Sequence, residues 1–422
     1  MPVHKSAVKK SRHSKIGAGS SAQKRTKTAP RPLDQQLKTQ PTDVQYCTRC
    51  VVSNQRPRIT FDEQGVCSAC QYAYRKHNGI DWSAREKELE DLLARYRSTD
   101  GSYDVIVPGS GGKDSAYTTH LLKHKYGMHP LAVTWAPFMY TDIGWQNFQR
   151  FVDAGFDVLN CFQNGQLHRK LARVAFELKG DAWEPFTFGQ KAYAFQIALK
   201  FKIPLIFYGE NGEVEYGGSL QNADKPYESV ADWEHLYFKG AGIDALAQQG
   251  VELGIFDKRE LAENPFALYH TPPLEEIEEL GAQMHWLSYY RKWVPQENYY
   301  YAAEHTGFQA NPDGRSEGTY SKYASLDDKT DGFHFYLAYI KFGIGRCTSD
   351  ASHEVRDGHL TREEAVSLVH RYDGEFPQKY FREFLTYLDI SEEHFWEVVD
   401  RYRRPHLWEK VNGQWVLKHR VR

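Results

Sequence analysis

No stretch of this 422-residue sequence runs to about 18 uninterrupted apolar residues, so nothing in it predicts a membrane span. The N-terminus also lacks the apolar core of about 7–15 residues that a signal peptide needs, and a cytoplasmic protein is expected. Two familiar nucleotide motifs are missing. A Walker A loop requires G-x-x-x-x-G-K-[ST] and a dinucleotide fingerprint G-x-G-x-x-G, and the chain's prominent Gly-rich turn fits neither. Net charge is small, −2, but unevenly spread. Residues 1–40 hold ten Lys or Arg against the single acid Asp34, a charge of +9 that leaves −11 for the other 382. This stretch has almost no large apolar residue to offset its ordering entropy, and a disordered basic tail is expected over 1–44. Without interleaved aromatics it reads as a solvated extension rather than a nucleic-acid contact.

The most informative feature present is Gly109-Ser110-Gly111-Gly112-Lys113-Asp114-Ser115. It follows the strand-like Asp104-Val-Ile-Val-Pro108 and precedes a helix-like stretch from Ala116 to Lys125. Glycines let backbone N–H groups approach an anion, Ser110 and Ser115 add hydroxyls, and the positive end of the following helix favours negative charge. The segment predicts a phosphate cradle. It resembles the S-G-G-x-D-S loop of the PP-loop ATP pyrophosphatases, which split ATP into AMP and pyrophosphate.

Four of the six cysteines form C-x2-C-x16-C-x2-C: Cys47, Cys50, Cys67 and Cys70. That spacing suits four thiolates about 2.3 Å from one zinc ion, and the competing pair of disulfides fits a reducing cytosol poorly. Four thiolates leave no open position, so the zinc is expected to be structural. Cys161 and Cys347 stand alone and read as small packed residues.

Strand-like runs at 104–108, 131–135, 157–162 and 204–208 alternate with helix-like stretches at 116–126, 144–154, 166–179 and 189–202. This predicts an α/β fold with a parallel sheet, in which ligands gather at the carboxyl ends of strands. Two further loops therefore matter: Trp135 to Asp142, and Gly209 to Gly218, whose Glu210, Asn211, Glu213 and Glu215 offer oxygen ligands for Mg²⁺. After residue 225 the chain is rich in Tyr and Trp and reads as mostly helical, without repeats. Pro273 to Leu280 is an acidic helix, Thr361-Arg-Glu-Glu364 a capping box, and Leu385 to Tyr402 another helix interrupted at 391–394. The expected domains are the tail 1–44, a zinc knuckle 45–78, a nucleotide domain 79–225 and a mostly helical substrate domain 226–422.

The ordered set of Tyr46-Cys-Thr-Arg-Cys50, Cys67-Ser-Ala-Cys70, the 110–115 loop, Gly209-Glu-Asn211, Glu215-Tyr-Gly-Gly218, Glu317-Gly-Thr-Tyr-Ser321, Lys341-Phe-Gly-Ile-Gly-Arg346 and Arg362-Glu-Glu-Ala365 resembles the N-acetyl sugar amidotransferases of bacterial lipopolysaccharide O-antigen and flagellar sugar biosynthesis. The resemblance spans about residues 45–418. It implies a PP-loop (adenine nucleotide alpha hydrolase-like) domain that uses ATP, Mg²⁺ and ammonia to turn an acetamido group of a nucleotide sugar into an acetamidino group. An amide oxygen is a poor leaving group until AMP is transferred onto it; ammonia then displaces AMP. Lys113, the Gly111 and Gly112 amides, Ser110 and Ser115 are candidates for holding the phosphates. Asp114 is a candidate for the metal or for the helix cap, Trp135 for adenine, and Glu210, Asn211 and Glu215 for metal or ammonia handling. Lys341 and Arg346 are candidates for the anionic part of the sugar nucleotide. A self-sufficient glutaminase needs an activated cysteine, and here residue 2 is Pro while Cys161 and Cys347 have no catalytic setting. Ammonia is therefore expected from a glutaminase partner with an ammonia-conducting, cyclase-like subunit. A tRNA sulfur transferase is the alternative reading, weakened by the lack of additional cysteines in the nucleotide domain.

Overall fold

The computed structural model describes residues 33–228, 242–262 and 264–422. The first 32 residues of the expected tail lie outside these. From Leu33 onward the chain is folded, so residues 33–44 are not a disordered tail: Leu33 N donates to Leu178 O at 2.7 Å, Leu37 is buried, and Asp34 pairs with Lys341 at 3.0 Å.

Two helices, α1 (Ser68–Asn78) and α2 (Trp82–Tyr96), precede the sheet. Its first half then follows the expected alternation: β1 (Val105–Pro108), α3 (Lys113–His120), β2 (Pro130–Trp135), α4 (Asp142–Asp153), β3 (Asp157–Cys161), α5 (Gly165–Lys179), α6 (Glu184–Phe201) and β4 (Leu205–Tyr208). All four residues of β1 are buried, and so are all six of β2, as a sheet covered on both faces requires. Side chains of the turns before the helices fix several of the starts. Asp81 caps α2, Thr141 caps α4 and Asn164 caps α5, each accepting a first-turn N–H.

The short α7 (Gly212–Tyr216) follows β4. Two strands then extend the sheet: β5 (Tyr227–Glu228) and, after α8 (Ile243–Glu252) and α9 (Leu274–Leu280), β6 (Gln283–Trp286). Strand order is β3-β2-β1-β4-β6-β5, parallel except for the antiparallel edge strand β5. Neither β5 nor β6 was expected. Gln283-Met-His-Trp286 has no β-branched residue, and its place beside β4, with Ile206 opposite Met284, supplies what local propensity does not.

The remaining chain is mostly helical: α10 (Leu287–Tyr290), α11 (Pro295–Thr306), α12 (Asp331–Phe342), α13 (Arg346–Arg356), α14 (Arg362–Tyr372), α15 (Phe381–Leu388) and α16 (Glu392–Arg401). Thr361 and Glu364 form the expected capping box, and Ser391 caps α16 at the expected break. A terminal hairpin, β7 (Trp408–Val411) and β8 (Gln414–Leu417), turns through Asn412-Gly413, both with positive φ.

One core joins the ends of the chain to the sheet layer. Phe176 of α5 stacks on Phe395 of α16 at 5.6 Å, and Phe333 stacks on Phe384 at 4.1 Å. The four clustered cysteines belong to the same core, and Arg362 Nε donates to Cys50 O at 3.2 Å.

Candidate active site and metal centre

β2 and β3 lie on one side of β1, and β4 and β6 on the other, so the chain reverses direction across the sheet between β1 and β4. At such a switch point the loops beyond the two strands diverge and leave a crevice. Here it is a cleft of about 400 Å³, lined by Pro108 to Ser115 beyond β1 and by Tyr208 to Glu210 beyond β4. Tyr323 to Asp327 and Arg346 from the helical region close it.

The loop is held from below. Gly109 N donates to Val133 O at 3.0 Å and Thr134 Oγ1 donates to Gly109 O at 2.6 Å. Gly111 has φ +79°, and a Cβ there would meet Phe148 Cα at 2.9 Å, so the backbone runs where a side chain cannot. Gly112 stands at the N-cap of α3 and no side chain caps that helix, unlike α2, α4 and α5. Its first-turn N–H groups and dipole are left for an anion. Ser110 lines the cleft, and Ser115 Oγ donates to Gly112 O at 3.1 Å.

Lys113 pairs with the adjacent Asp114 and lies 5.5 Å from the centre of the Tyr323 ring. Asp114 does not cap α3; its Oδ1 accepts from Asn298 Nδ2 at 3.3 Å. Glu210 faces the same cleft. Burial, with repulsion from Asp114 only partly offset by Lys113, pushes its carboxyl up to about 7. Two carboxylates whose charges oppose each other beside a phosphate cradle are a donor set suited to a hard cation. Arg346 reaches the cleft, held by Asp350 at 3.0 Å and lying 4.5 Å from the Phe335 ring.

Four expected site residues are not brought to the cleft. Trp135 is 4% exposed and packs on Gly189 so closely that a Cβ there would stand 2.0 Å from its ring; it is core, unavailable to adenine. Asn211 caps α7, accepting from Glu213 N at 3.0 Å, and its own N–H donates to Ser288 Oγ. Glu215 is buried and paired with Lys76 at 3.1 Å, a lysine shared with Asp357 at 3.2 Å. Lys341 pairs with Asp34 and donates to Lys179 O at 3.1 Å, lining a different cavity.

The cleft also contains a residue that sequence reasoning missed. Lys191 of α6 lies 4.5 Å from the Tyr208 ring and 5.2 Å from the Trp286 ring, beside Glu210. Burial pulls its ammonium down to about 8, against the opposing pull of Glu228 and Glu210. Its signal was a lysine within the apolar run from Pro185 to Leu199.

The four cysteines converge as their spacing predicts. Their Sγ atoms all lie within 4.8 Å of one another, with Cys47–Cys70 and Cys50–Cys67 both at 3.8 Å. A tetrahedral centre with metal–sulfur bonds of about 2.3 Å needs sulfurs about 3.8 Å apart, so the set fits a four-thiolate metal. Arg49 N and Cys67 N each approach Cys47 Sγ at 3.3 Å, donors that favour a thiolate.

Fold and site together define a parallel-sheet α/β protein with an uncapped Gly-rich loop at its topological switch point and a cluster of four cysteines that could hold a metal ion. Residues 317–422 match the family described as LPS biosynthesis protein WbpG-like, C-terminal domain. A curated relative, an uncharacterized protein of Methanocaldococcus jannaschii, is 31% identical over 88 residues, which are 21% of this chain and 31% of that protein. The chain thus matches under a third of that relative's length. Among solved structures, the NH3-dependent NAD synthetase of Campylobacter jejuni is similar at TM-score 0.26 and 15% identity, covering 48% of this chain and 95% of that one. The U34-tRNA thiolase NcsA of Methanococcus maripaludis is similar at TM-score 0.27 and 13% identity, covering 74% and 86%. No described helix is long and apolar enough to cross a membrane.

Proposed function

We propose that the chain is an ATP-dependent N-acetyl sugar amidotransferase of the PP-loop ATP pyrophosphatase type, acting in bacterial lipopolysaccharide biosynthesis. The observation that carries the reading is the uncapped Gly109–Ser115 loop at the end of β1, facing Glu210 at the end of β4. The WbpG-like match over residues 317–422 supports the pathway.

In this reading the amide oxygen of the sugar's acetamido group attacks the α-phosphorus of ATP. A C–O–P bond forms and the bond to pyrophosphate breaks. Ammonia then adds to the activated carbon, AMP leaves with the oxygen, and loss of protons gives the acetamidino group. The loop amides, Ser110 and Lys113 hold the departing pyrophosphate, and Lys191 and Arg346 add positive charge around the phosphates. Holding the reacting atoms in line supplies on the order of 7–11 kcal/mol. Mg²⁺ held by Asp114 and Glu210 would neutralise phosphate oxygens. Zinc held by Cys47, Cys50, Cys67 and Cys70 would tie the 47–50 loop to the start of α1, within the core shared with the helical region. Ammonia comes from a glutaminase partner with an ammonia-conducting subunit. Cys161 and Cys347 do not line the cleft, and burial pushes the Cys161 thiol up to about 11, which disfavours sulfur transfer.

The test is mass spectrometry of the purified chain with ATP, Mg²⁺, ammonium chloride and diacetamido nucleotide sugars. The expected product is lighter by about one mass unit, with AMP formed in equal amount, because NH replaces O. AMP without a change in any sugar would reject the acceptor.

A further inference from the structure

A second cavity, of about 330 Å³, adjoins the nucleotide cleft along two helices. On α6, Thr187 lines this cavity while Gln190 and Lys191 line the cleft, a separation of about 4.5–6 Å along the axis. On α13, Ser349 lines the cavity and Arg346 the cleft, and the Arg346 guanidinium lies on the ring of Phe335, which is itself a cavity wall.

The charges around the cavity are matched with one exception. His334 pairs with Asp181 at 2.8 Å, Lys341 with Asp34 at 3.0 Å, and Lys179 with Glu184 at 2.9 Å. Arg58, also on the wall, is held by Glu213, its Nε donating at 2.9 Å. Arg56 makes no direct ion pair among the described residues: Glu213, which attracts it, is bonded to Arg58, and the Arg56 Nε is buried with no acceptor. Desolvating a guanidinium whose attracting carboxylate is already engaged by Arg58 is unfavourable, and an anion entering the cavity would add charge beside the guanidinium's outer N–H groups. Trp183 and Phe335 add flat apolar faces of the kind that contact rings.

We propose that this cavity is the acceptor site, taking an anionic carbohydrate derivative whose phosphate or carboxylate is bound by Arg56 and whose ring contacts Trp183 and Phe335. The inference rests on the ATP-dependent reading above and adds to it where the second substrate sits and which residue selects it. The matched ion pairs shape the cavity, and Arg56 is the specificity-determining cation.

The test is calorimetric titration of the full chain saturated with α,β-methylene-ATP. UDP-N-acetylglucosamine probes a phosphate, N-acetylglucosaminuronic acid a carboxylate, and N-acetylglucosamine is the uncharged control. At least one anionic probe is expected to bind, and to bind more tightly than the control. Arg56→Met should weaken it about tenfold or more, as loss of a charged hydrogen bond does, and Arg56→Lys should restore part of the loss. Thr187→Trp, which fills the cavity, should abolish binding; it keeps the test decisive if Arg56→Met does not fold. All variants should bind α,β-methylene-ATP within about twofold of the parent. Failure of every anionic probe to bind, or binding indifferent to both Arg56→Met and Thr187→Trp, overturns the proposal while leaving the nucleotide reading intact. Failure of α,β-methylene-ATP to bind the unaltered chain would instead reject the nucleotide reading itself.

Discussion

The Cβ that Gly109 lacks would stand 2.0 Å from the Cβ of Ser115, and no rotamer of Ser115 relieves a clash between two Cβ atoms. The loop thus closes on the first turn of α3 at a distance only glycine permits. Gly109→Ala is expected to displace the loop by about an ångström and cut pyrophosphate release about 100-fold or more. A fold that is retained by circular dichroism, with turnover unchanged, would contradict this.

Removing the cradle's polar groups should separate binding from folding. Ser110→Ala combined with Asp114→Ala is expected to abolish pyrophosphate release while the metal content and the unfolding midpoint stay close to those of the parent. Turnover surviving the double change would take the loop out of the mechanism.

Glu210 gives the site a pH dependence with a definite sign. Its carboxyl is raised from 4.5 to about 7, so the folded protein holds a proton that the unfolded chain has already released between those pH values. Glu210 therefore costs stability as pH rises through that window, and Glu210→Gln should flatten this part of the stability profile. If the ionised form holds Mg²⁺, activity rises with pH through about 7 and higher Mg²⁺ shifts the rise to lower pH. A profile insensitive to both Mg²⁺ and Glu210→Gln would exclude that role.

The four-thiolate centre makes a separate prediction. Cys47→Ser is expected to lose metal and solubility together, because Cys47 accepts backbone N–H groups and lies in the core shared with the helical region. Elemental analysis of the parent should give about one zinc per chain. A soluble, active, metal-free variant would contradict a structural role.

Lys76 is 1% exposed and is the cation shared by Glu215 and Asp357. Lys76→Met leaves both carboxylates buried without it and should cost about 3–5 kcal/mol in urea unfolding. Glu215→Gln should likewise act on stability and leave ATP affinity unchanged. A selective loss of ATP affinity would return Glu215 to the site.

Local signals made much of this protein legible. The strands at 105–108, 130–135, 157–161 and 205–208 are short apolar runs bounded by turns, and Thr361 and Glu364 announce a helix start by their own reciprocal bonds. Asn412-Gly413 was equally readable as a hairpin turn, and the mostly helical reading of that region passed over it. By contrast β6 has no strand composition, and only pairing with β4 makes it one.

The sequence by itself determined the Gly-rich turn between β1 and α3, the spacing of the four clustered cysteines and the first four strands, because each depends on residues close together in the chain. Only the tertiary structure decided what the isolated charges do. Lys341 meets Asp34 across 307 positions, Glu215 meets Lys76 across 139, and Lys191 reaches the cleft from a helix with no apolar stripe to orient it. Whether a buried charge neutralises a partner or waits for a ligand is set by what packs against it, and that information lies in the distant segments the fold brings together.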